Sequence, residues 1–282
     1  MAISFLNDVS LPGTSTSLLM ADGSNIPVGA DNSFLKVVSG EPVWTGSAPA
    51  PTTTPTLRSS GNVSIDGNNP INLPIPTHIA GDVIIVVCVV SYASMNFFNV
   101  TTPTGYTRLN ASNNTNSLAY YNTAVYYKTA VSSEPNFQIE AIGATSDSQR
   151  TFQTATVAVF KDTTGITATN FQYTDQTDLV SSRIVPSITA PAANSLEVAL
   201  VSSGGRSSAA VYNQDFTGTG WSLVEKNASQ STFFRNFASI YQVVGGSPAA
   251  PQNDITINTT VAVNGVPQAK SIGYTSLRLG PA

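Results

Sequence analysis

The sequence predicts an all-β protein: an antiparallel two-sheet β-sandwich, jelly-roll-like, preceded by an extended N-terminal segment. Three observations predict it. The longest apolar run, Val83-Ile-Ile-Val-Val-Cys-Val-Val90, is β-branched at nearly every position. A helix would restrict side-chain rotation all along that run, whereas a pleated strand accommodates it. Other segments alternate: Phe137, Ile139 and Ala141 point one way, Gln138 and Glu140 the other, which is the period of a half-buried strand. Turn signals at Pro103-Thr-Gly105, Gly204-Gly205 and Gly245-Gly246 punctuate the apolar segments, and no amphipathic helical pattern extends beyond about ten residues.

Three regions follow one another along the chain. Residues 1–46 are rich in Gly, Ser, Asp and Asn with short apolar patches. Residues 47–56, Ser-Ala-Pro-Ala-Pro-Thr-Thr-Thr-Pro-Thr, form a Pro/Thr linker. Proline fixes φ and removes a backbone donor, so this stretch is expected to be extended and stiff. Residues 57–282 carry nearly all the long apolar segments and are expected to form the sandwich. Its strands are predicted at 83–90, 123–130, 136–142, 151–160, 195–202, 221–225, 232–244, 254–259 and 272–279.

The third region repeats itself. Pro103-Thr-Gly-Tyr-Thr107 has a counterpart around Gly220-Trp221, each preceded by an apolar strand. Ala124-Val-Tyr-Tyr-Lys128 lines up with Ala238-Ser-Ile-Tyr-Gln242, and Ala155–Phe160 with Tyr274–Leu279. Two copies are too few for a solenoid. They suit two halves of one sandwich, or two similar sheets sharing a core.

Composition excludes several classes. Charged residues are 10% of the chain, far below the roughly 25% of an ordinary soluble domain, so Ser, Thr, Asn and Gln must supply the polar surface. The net charge is −4 and the basic residues are scattered singly, which argues against nucleic acid, whose binding requires grouped cations. The apolar run is too short to cross a bilayer by a helix, and no membrane role is expected. The stretch Met1–Asp8 lacks the basic and apolar regions of a Sec signal, so synthesis in a cytoplasm is expected, with export by assembly into a released particle.

A search for chemistry favours structural readings. His78 is the single histidine and Cys88 the single cysteine. A nucleophilic triad would have to use His78, yet no Gly-x-Ser-x-Gly elbow is present, and Cys88 lies in an apolar strand where a thiolate is disfavoured. A zinc site of protein N and S ligands lacks the residues, and no cofactor is expected. Oxygen-rich loops at Asp22–Asn25, Asp66–Asn69 and Asp175–Asp178 read first as turns and second as calcium sites. Asp175 and Asp178 are also the carboxylate pair weighed for glycoside hydrolysis, and an ordinary solvated loop is preferred. The aromatic zone of Tyr92, Phe97, Phe98, Tyr106, Tyr120, Tyr121, Tyr126 and Tyr127 suits a core or interface more than a sugar-stacking face. The sequons at Asn62, Asn99 and Asn227 matter only in a glycosylating pathway.

Residues 81–160 resemble a module of phage and bacterial surface proteins. Its pattern is carried here by Gly81-Asp82-Val-Ile-Ile, Pro103-Thr-Gly-Tyr-Thr107 and Ala124-Val-Tyr-Tyr-Lys128, with Tyr106 where the family usually has Trp. The resemblance implies a β-sandwich and no activity. The stretch from Gly29 to Trp44 resembles phage fibre and particle-attachment segments, which pair short strands between subunits, commonly in trimers. That resemblance implies an attachment or oligomer interface at Phe34, Leu35, Val37, Val38, Val43 and Trp44. It also implies a non-enzymatic protein on the virion surface: a capsid decoration protein or short head fibre, trimeric and bound to a partner such as the major capsid protein. The alternative is a tail-fibre adhesin that recognises a host surface glycan.

Overall fold

The β-branched run forms the centre of the fold. In the computed structural model Val83–Tyr92 is a strand with a paired neighbour on each side, and no residue from Val83 to Val90 is more than 2% exposed. The structure describes residues 17–19, 25–27, 33–38, 41–47, 53–66, 71–92, 99–100, 102–114, 120–139, 141–142, 151–176, 182–185, 194–206, 212–217, 221–230, 234–243, 255–261 and 270–282, with side chains for a subset of them. The chain divides into two units, Met1–Thr52 and Thr53–Ala282. Among the described residues every regular element is a strand.

The second unit holds two five-stranded antiparallel sheets. The first contains β1 (Thr56–Asp66), β2 (Val83–Tyr92), β3 (Thr107–Asn114), β4 (Tyr120–Thr129) and β5 (Thr151–Lys161), in the order β1-β5-β2-β4-β3. The second contains β6 (Thr163–Gln176), β7 (Leu196–Arg206), β8 (Trp221–Gln230), β9 (Phe234–Val243) and β10 (Lys270–Pro281), in the order β6-β10-β7-β9-β8. The two orders are the same, strand for strand. Each half also has short strands on a smaller scale. In the first, Ile71–Leu73 pairs with Phe137–Ile139, and Asn99–Val100 with Ala141–Ile142. In the second, Ile255–Val261 lies between Ser182–Val185 and Tyr212–Thr217. Within each half the chain therefore passes repeatedly between a large and a small antiparallel sheet, as in a jelly roll.

The likeness extends to register. Tyr126 lies opposite Val86, and Tyr241 opposite Ala199. The same superposition equates Val83, Ile85 and Val87 with Leu196, Val198 and Leu200, and Phe160 with Leu279. Bulges recur at matching places. The β3–β4 ladder skips Leu109 and the β8–β9 ladder skips Val224; the β1–β5 ladder skips Arg58 and the β6–β10 ladder skips Thr167. Gly81 and Asn194, at equivalent positions before β2 and β7, both have positive φ, 94° and 57°. One detail of the sequence alignment is corrected: Ala238 corresponds to Thr123, not Ala124, because Thr123 faces Val89 as Ala238 faces its equivalent, Ser202.

Alternation along β2 divides the hydrophobic residues between two cores. Val83, Ile85, Val87 and Val89 meet Leu196, Val198 and Leu200 of β7, Ile240 of β9 and Leu277 and Leu279 of β10. The two large sheets thus share a core, one of the two arrangements that the repeat predicted. Ile84, Val86, Cys88 and Val90 point the other way, onto Tyr126, Val157, Val159 and the short-strand residues Ile71, Leu73, Phe137 and Ile139. The corresponding outer face of the second sheet buries Ala199, Val201, Tyr241 and Tyr274. Polar ties join the large sheets at the margins of the shared core. Thr156 Oγ1 donates to the Ala238 carbonyl at 2.8 Å, and Asn110 Nδ2 to Thr275 Oγ1 at 2.6 Å. Ser60 and Asn62 both donate to the Glu225 carboxylate at 2.8 Å. Gly273 is needed for close approach here, since a methyl group on it would lie 2.8 Å from Ser202 Oγ and 3.1 Å from Thr123 Oγ1.

A charge placed at Val86 has no partner in this apolar layer. An unpaired buried carboxylate costs several kcal/mol, comparable to the ~5–15 kcal/mol stability of a typical domain. Val86→Asp should therefore abolish cooperative thermal unfolding. Ile85→Ala should leave a folded protein destabilised by about 2–5 kcal/mol in urea titration. An unchanged melting temperature for Val86→Asp would contradict the buried placement of β2.

Candidate functional site

The residues of the Pro-x-Gly-aromatic and Tyr-Tyr-Lys segments converge on one corner of the first half. Tyr106 N donates to the Pro103 carbonyl at 3.1 Å, closing a turn in which Gly105 has φ of 82°. That conformation suits a type II turn with glycine at its third position. A side chain at Gly105 would also meet Lys128 Cε and Nζ at 3.3 Å. The turn delivers Tyr106 against Phe137 in an edge arrangement, with ring centroids 5.0 Å apart, and Lys128 Nζ lies 5.6 Å from the Tyr106 ring centre. The Tyr106 hydroxyl is buried and has no hydrogen-bond partner. Burial, and next the nearby Glu134 carboxylate, push its pKa up.

Glu134 fixes the adjoining loop. Its side chain is shielded from solvent, pairs with Lys128 and accepts from the Val131 amide at 2.7 Å. Burial alone would raise its pKa. The Lys128 hydrogen bond, the Val131 amide and the charges of Lys128 and His78 outweigh that and hold the carboxyl below its usual range. The Gly81-Asp82 pair does similar work at the start of β2. Asp82 forms an ion pair with Arg58, accepting from its Nη2 at 3.1 Å, and accepts from the Ile79 amide at 2.9 Å, while its own carbonyl accepts from Ala130 N at 2.7 Å. On the outer face of the second sheet, Glu197 and Arg278 form a buried cross-strand pair at 2.7 Å.

Beside the Pro103 turn lies a groove of about 570 Å³. Thr102, Pro103, Thr104 and Tyr106 form one wall, Pro135 and Asn136 another, and Asn72 and Gln138 supply polar groups from the short strands. Asn72 and Gln138 are cross-strand partners, with Gln138 Nε2 3.4 Å from Asn72 Oδ1. Both are exposed, while their neighbours Ile71, Leu73, Phe137 and Ile139 are 0% exposed. Sequence reasoning missed these two amides as site residues. The Ile71-Asn-Leu73 and Phe137-Gln-Ile139 alternation marks each as facing outward, but not that they meet.

The other sequence candidates are placed as follows. Cys88 is wholly buried; burial raises its thiol to about 12, and its Sγ donates to the Ala124 carbonyl at 3.5 Å. His78 Nδ1 lies 2.8 Å from the Pro76 carbonyl. Tyr126 lies in the outer core and Tyr127 packs at the edge of the shared core. The side chains of Tyr92, Phe97, Phe98, Tyr120 and Tyr121, and of the oxygen-rich loops at 22–25, 66–69 and 175–178, fall outside the described residues. Among the described residues no group of three His, Cys, Asp or Glu side chains is placed to hold a metal.

The N-terminal candidates lie on the strands Ser33–Val38 and Glu41–Ser47, which pair as an antiparallel hairpin. Its register places Leu35 opposite Trp44 and Val37 opposite Pro42, with Phe34, Lys36 and Val38 opposite Thr45, Val43 and Glu41. Period-two geometry then assigns positions 35, 37 and 44 to one face of the ribbon and positions 34, 38 and 43 to the other. Their side chains fall outside the described residues. Comparison of the chain with protein-family models, with curated proteins and with solved structures gave no match.

Because the folded pKa of Glu134 is depressed, the stability it contributes is present above the ordinary carboxylate value of 4.5 and is lost as pH falls through the folded value. Glu134→Gln should cost about 1–3 kcal/mol at neutral pH, the usual scale for a hydrogen bond to a charged group. The gap from the parent protein should narrow steadily below pH 4.5 in urea titrations. A gap that stays constant down to about pH 2 would show that the carboxylate is not what holds the loop.

Proposed function

We propose that the chain is a non-enzymatic structural protein of a bacteriophage virion, a capsid decoration protein or short head fibre. In this reading the N-terminal segment docks to the particle and the paired sheets face outward. The observation that carries it is the contrast between the two units. The N-terminal unit contributes short two-stranded pairs, Ser17–Leu19 with Asn25–Pro27 and Ser33–Val38 with Glu41–Ser47. An isolated two-stranded hairpin is marginal in water and needs further strands or a packed face. Phe34, Leu35, Val37, Val38, Val43 and Trp44 are too few for a core of their own, and are too apolar for a free tail. Neighbouring subunits, the particle surface, or both can supply what is missing, and three copies of the hairpin can pair around a trimer axis.

The second unit contrasts with this. It has its own cores, and its described charged groups are largely engaged internally: Arg58 with Asp82, Lys128 with Glu134, Glu197 with Arg278, and Glu225 with Ser60 and Asn62. Such a body suits a mechanical role. By binding subunits and shell together it adds free energy that opposes loss of capsomers. A tail-fibre adhesin would use the same architecture at another place on the particle.

Removing residues 1–46 should separate attachment from folding. The truncated chain should remain soluble and β-rich by circular dichroism, yet fail to sediment with particles and lose subunits by light scattering. Trp44→Ala in the full chain should show a milder form of the same defect. Normal decoration by the truncated chain would place the anchor in the paired sheets and overturn this reading. Immunogold label on the tail and not the head would replace the decoration role with the adhesin.

A further inference from the structure

We propose that the groove between the Pro103 turn and the short strands Ile71–Leu73 and Phe137–Ile139 binds a neutral oligosaccharide. This goes beyond the attachment role and does not depend on it, since the groove belongs to the second unit whatever the first unit contacts.

Preorganisation is the first argument. Asn72 and Gln138 sit on strands whose flanking residues are all 0% exposed, so the two amides are presented from a pinned base. The turn wall is set by the Tyr106-to-Pro103 hydrogen bond and by Tyr106 packed on Phe137. The loop leading to Pro135 and Asn136 is held by Glu134 through Lys128 and the Val131 amide. Walls fixed by their own supports lose little freedom when a ligand enters.

Lining chemistry is the second argument. Among its described lining residues the groove presents amides, threonine hydroxyls, proline rings and one tyrosine, and no charged side chain. Lys128, beside the Tyr106 wall, is paired with Glu134. Among the described lining residues an anionic ligand finds no cation. Amides offer a donor and an acceptor side by side, and so match the alternating hydroxyls of a sugar. The volume of about 570 Å³ falls within the usual range for small-ligand sites. A proline-rich peptide is the main competitor, but it depends on open aromatic faces. The Tyr106 ring is already engaged by Phe137 and Lys128.

The test uses the full chain in calorimetric titrations with maltotriose, cellotriose, mannotriose and tri-N-acetylchitotriose, with trigalacturonate and a proline-rich decapeptide as comparisons. At about 10 mM ligand, millimolar affinities are measurable. At least one neutral trisaccharide should bind, and trigalacturonate should not displace it. The Asn72→Ala/Gln138→Ala double variant should bind it at least about tenfold more weakly with an unchanged melting temperature, because both residues are exposed. Thr169→Ala, at an exposed position on β6 outside the groove, should bind like the parent. The proposal is overturned if no neutral trisaccharide binds, if binding survives the double variant, or if the acidic sugar or the peptide binds better.

Discussion

Two strands whose described side chains have no face in water, β2 and β7, set the terms for the rest of this protein. An antiparallel strand usually buries one side and wets the other. Here Val83–Val90 and Leu196–Val201 are buried on both. Each therefore needs a ladder at both edges and an apolar layer above and below. The opposed large sheets supply the inner layer, and in the first half the short strands at 71–73 and 137–139 supply the outer one. The groove inherits its geometry from this demand. The short strands must bury Ile71, Leu73, Phe137 and Ile139 against β2 and its neighbours, and the residues between them, Asn72 and Gln138, are consequently turned outward beside each other.

The same demand explains what the sequence made legible. β2, β4, β5, β7, β9 and β10 are interior strands with dense apolar residues, and each was foreseen close to its observed limits. β1, β3 and β6 were missed, and β8 was foreseen only over its first half. These four are the edges of the two sheets. Edge strands such as Thr56–Asp66 and Thr163–Gln176 are paired on one side only and are made of Ser, Thr, Asn and Gly with isolated apolar residues. Their strand character comes from the neighbour they join, which a local pattern does not reveal. The repeat was visible, but its alignment slipped by one residue in β9. Matching like letters, Ala with Ala, is a weaker guide than matching the side of the strand that faces the shared core.

The groove was half legible. The Pro103-Thr-Gly105 turn was seen as a turn, and Tyr106 as one of many aromatics. Nothing local joins them to Lys128, Glu134 and Phe137, which arrive from beyond β3. Once joined, the residues of the Gly81-Asp82, Pro103–Tyr106 and Tyr126–Lys128 segments are accounted for by folding. Asp82 gathers Arg58 and the Ile79 amide, Gly105 permits the turn, and Lys128 bridges Tyr106 and Glu134.

The passage from one half to the other is a single residue. β5 ends at Lys161 and β6 begins at Thr163; Asp162 between them has φ of 58°, a conformation that aspartate tolerates better than most residues. So short a tether makes the meeting of the two halves an intramolecular event, equivalent to a very high local concentration of each for the other. The contact between them does not have to be strong enough to hold free partners together. Equivalent positions can then differ between the halves, as Val89 and Ser202 do, or Thr123 and Ala238. The two halves differ in composition while keeping the same strand order. One of them can then carry a groove lined in its own way without the other having to copy it.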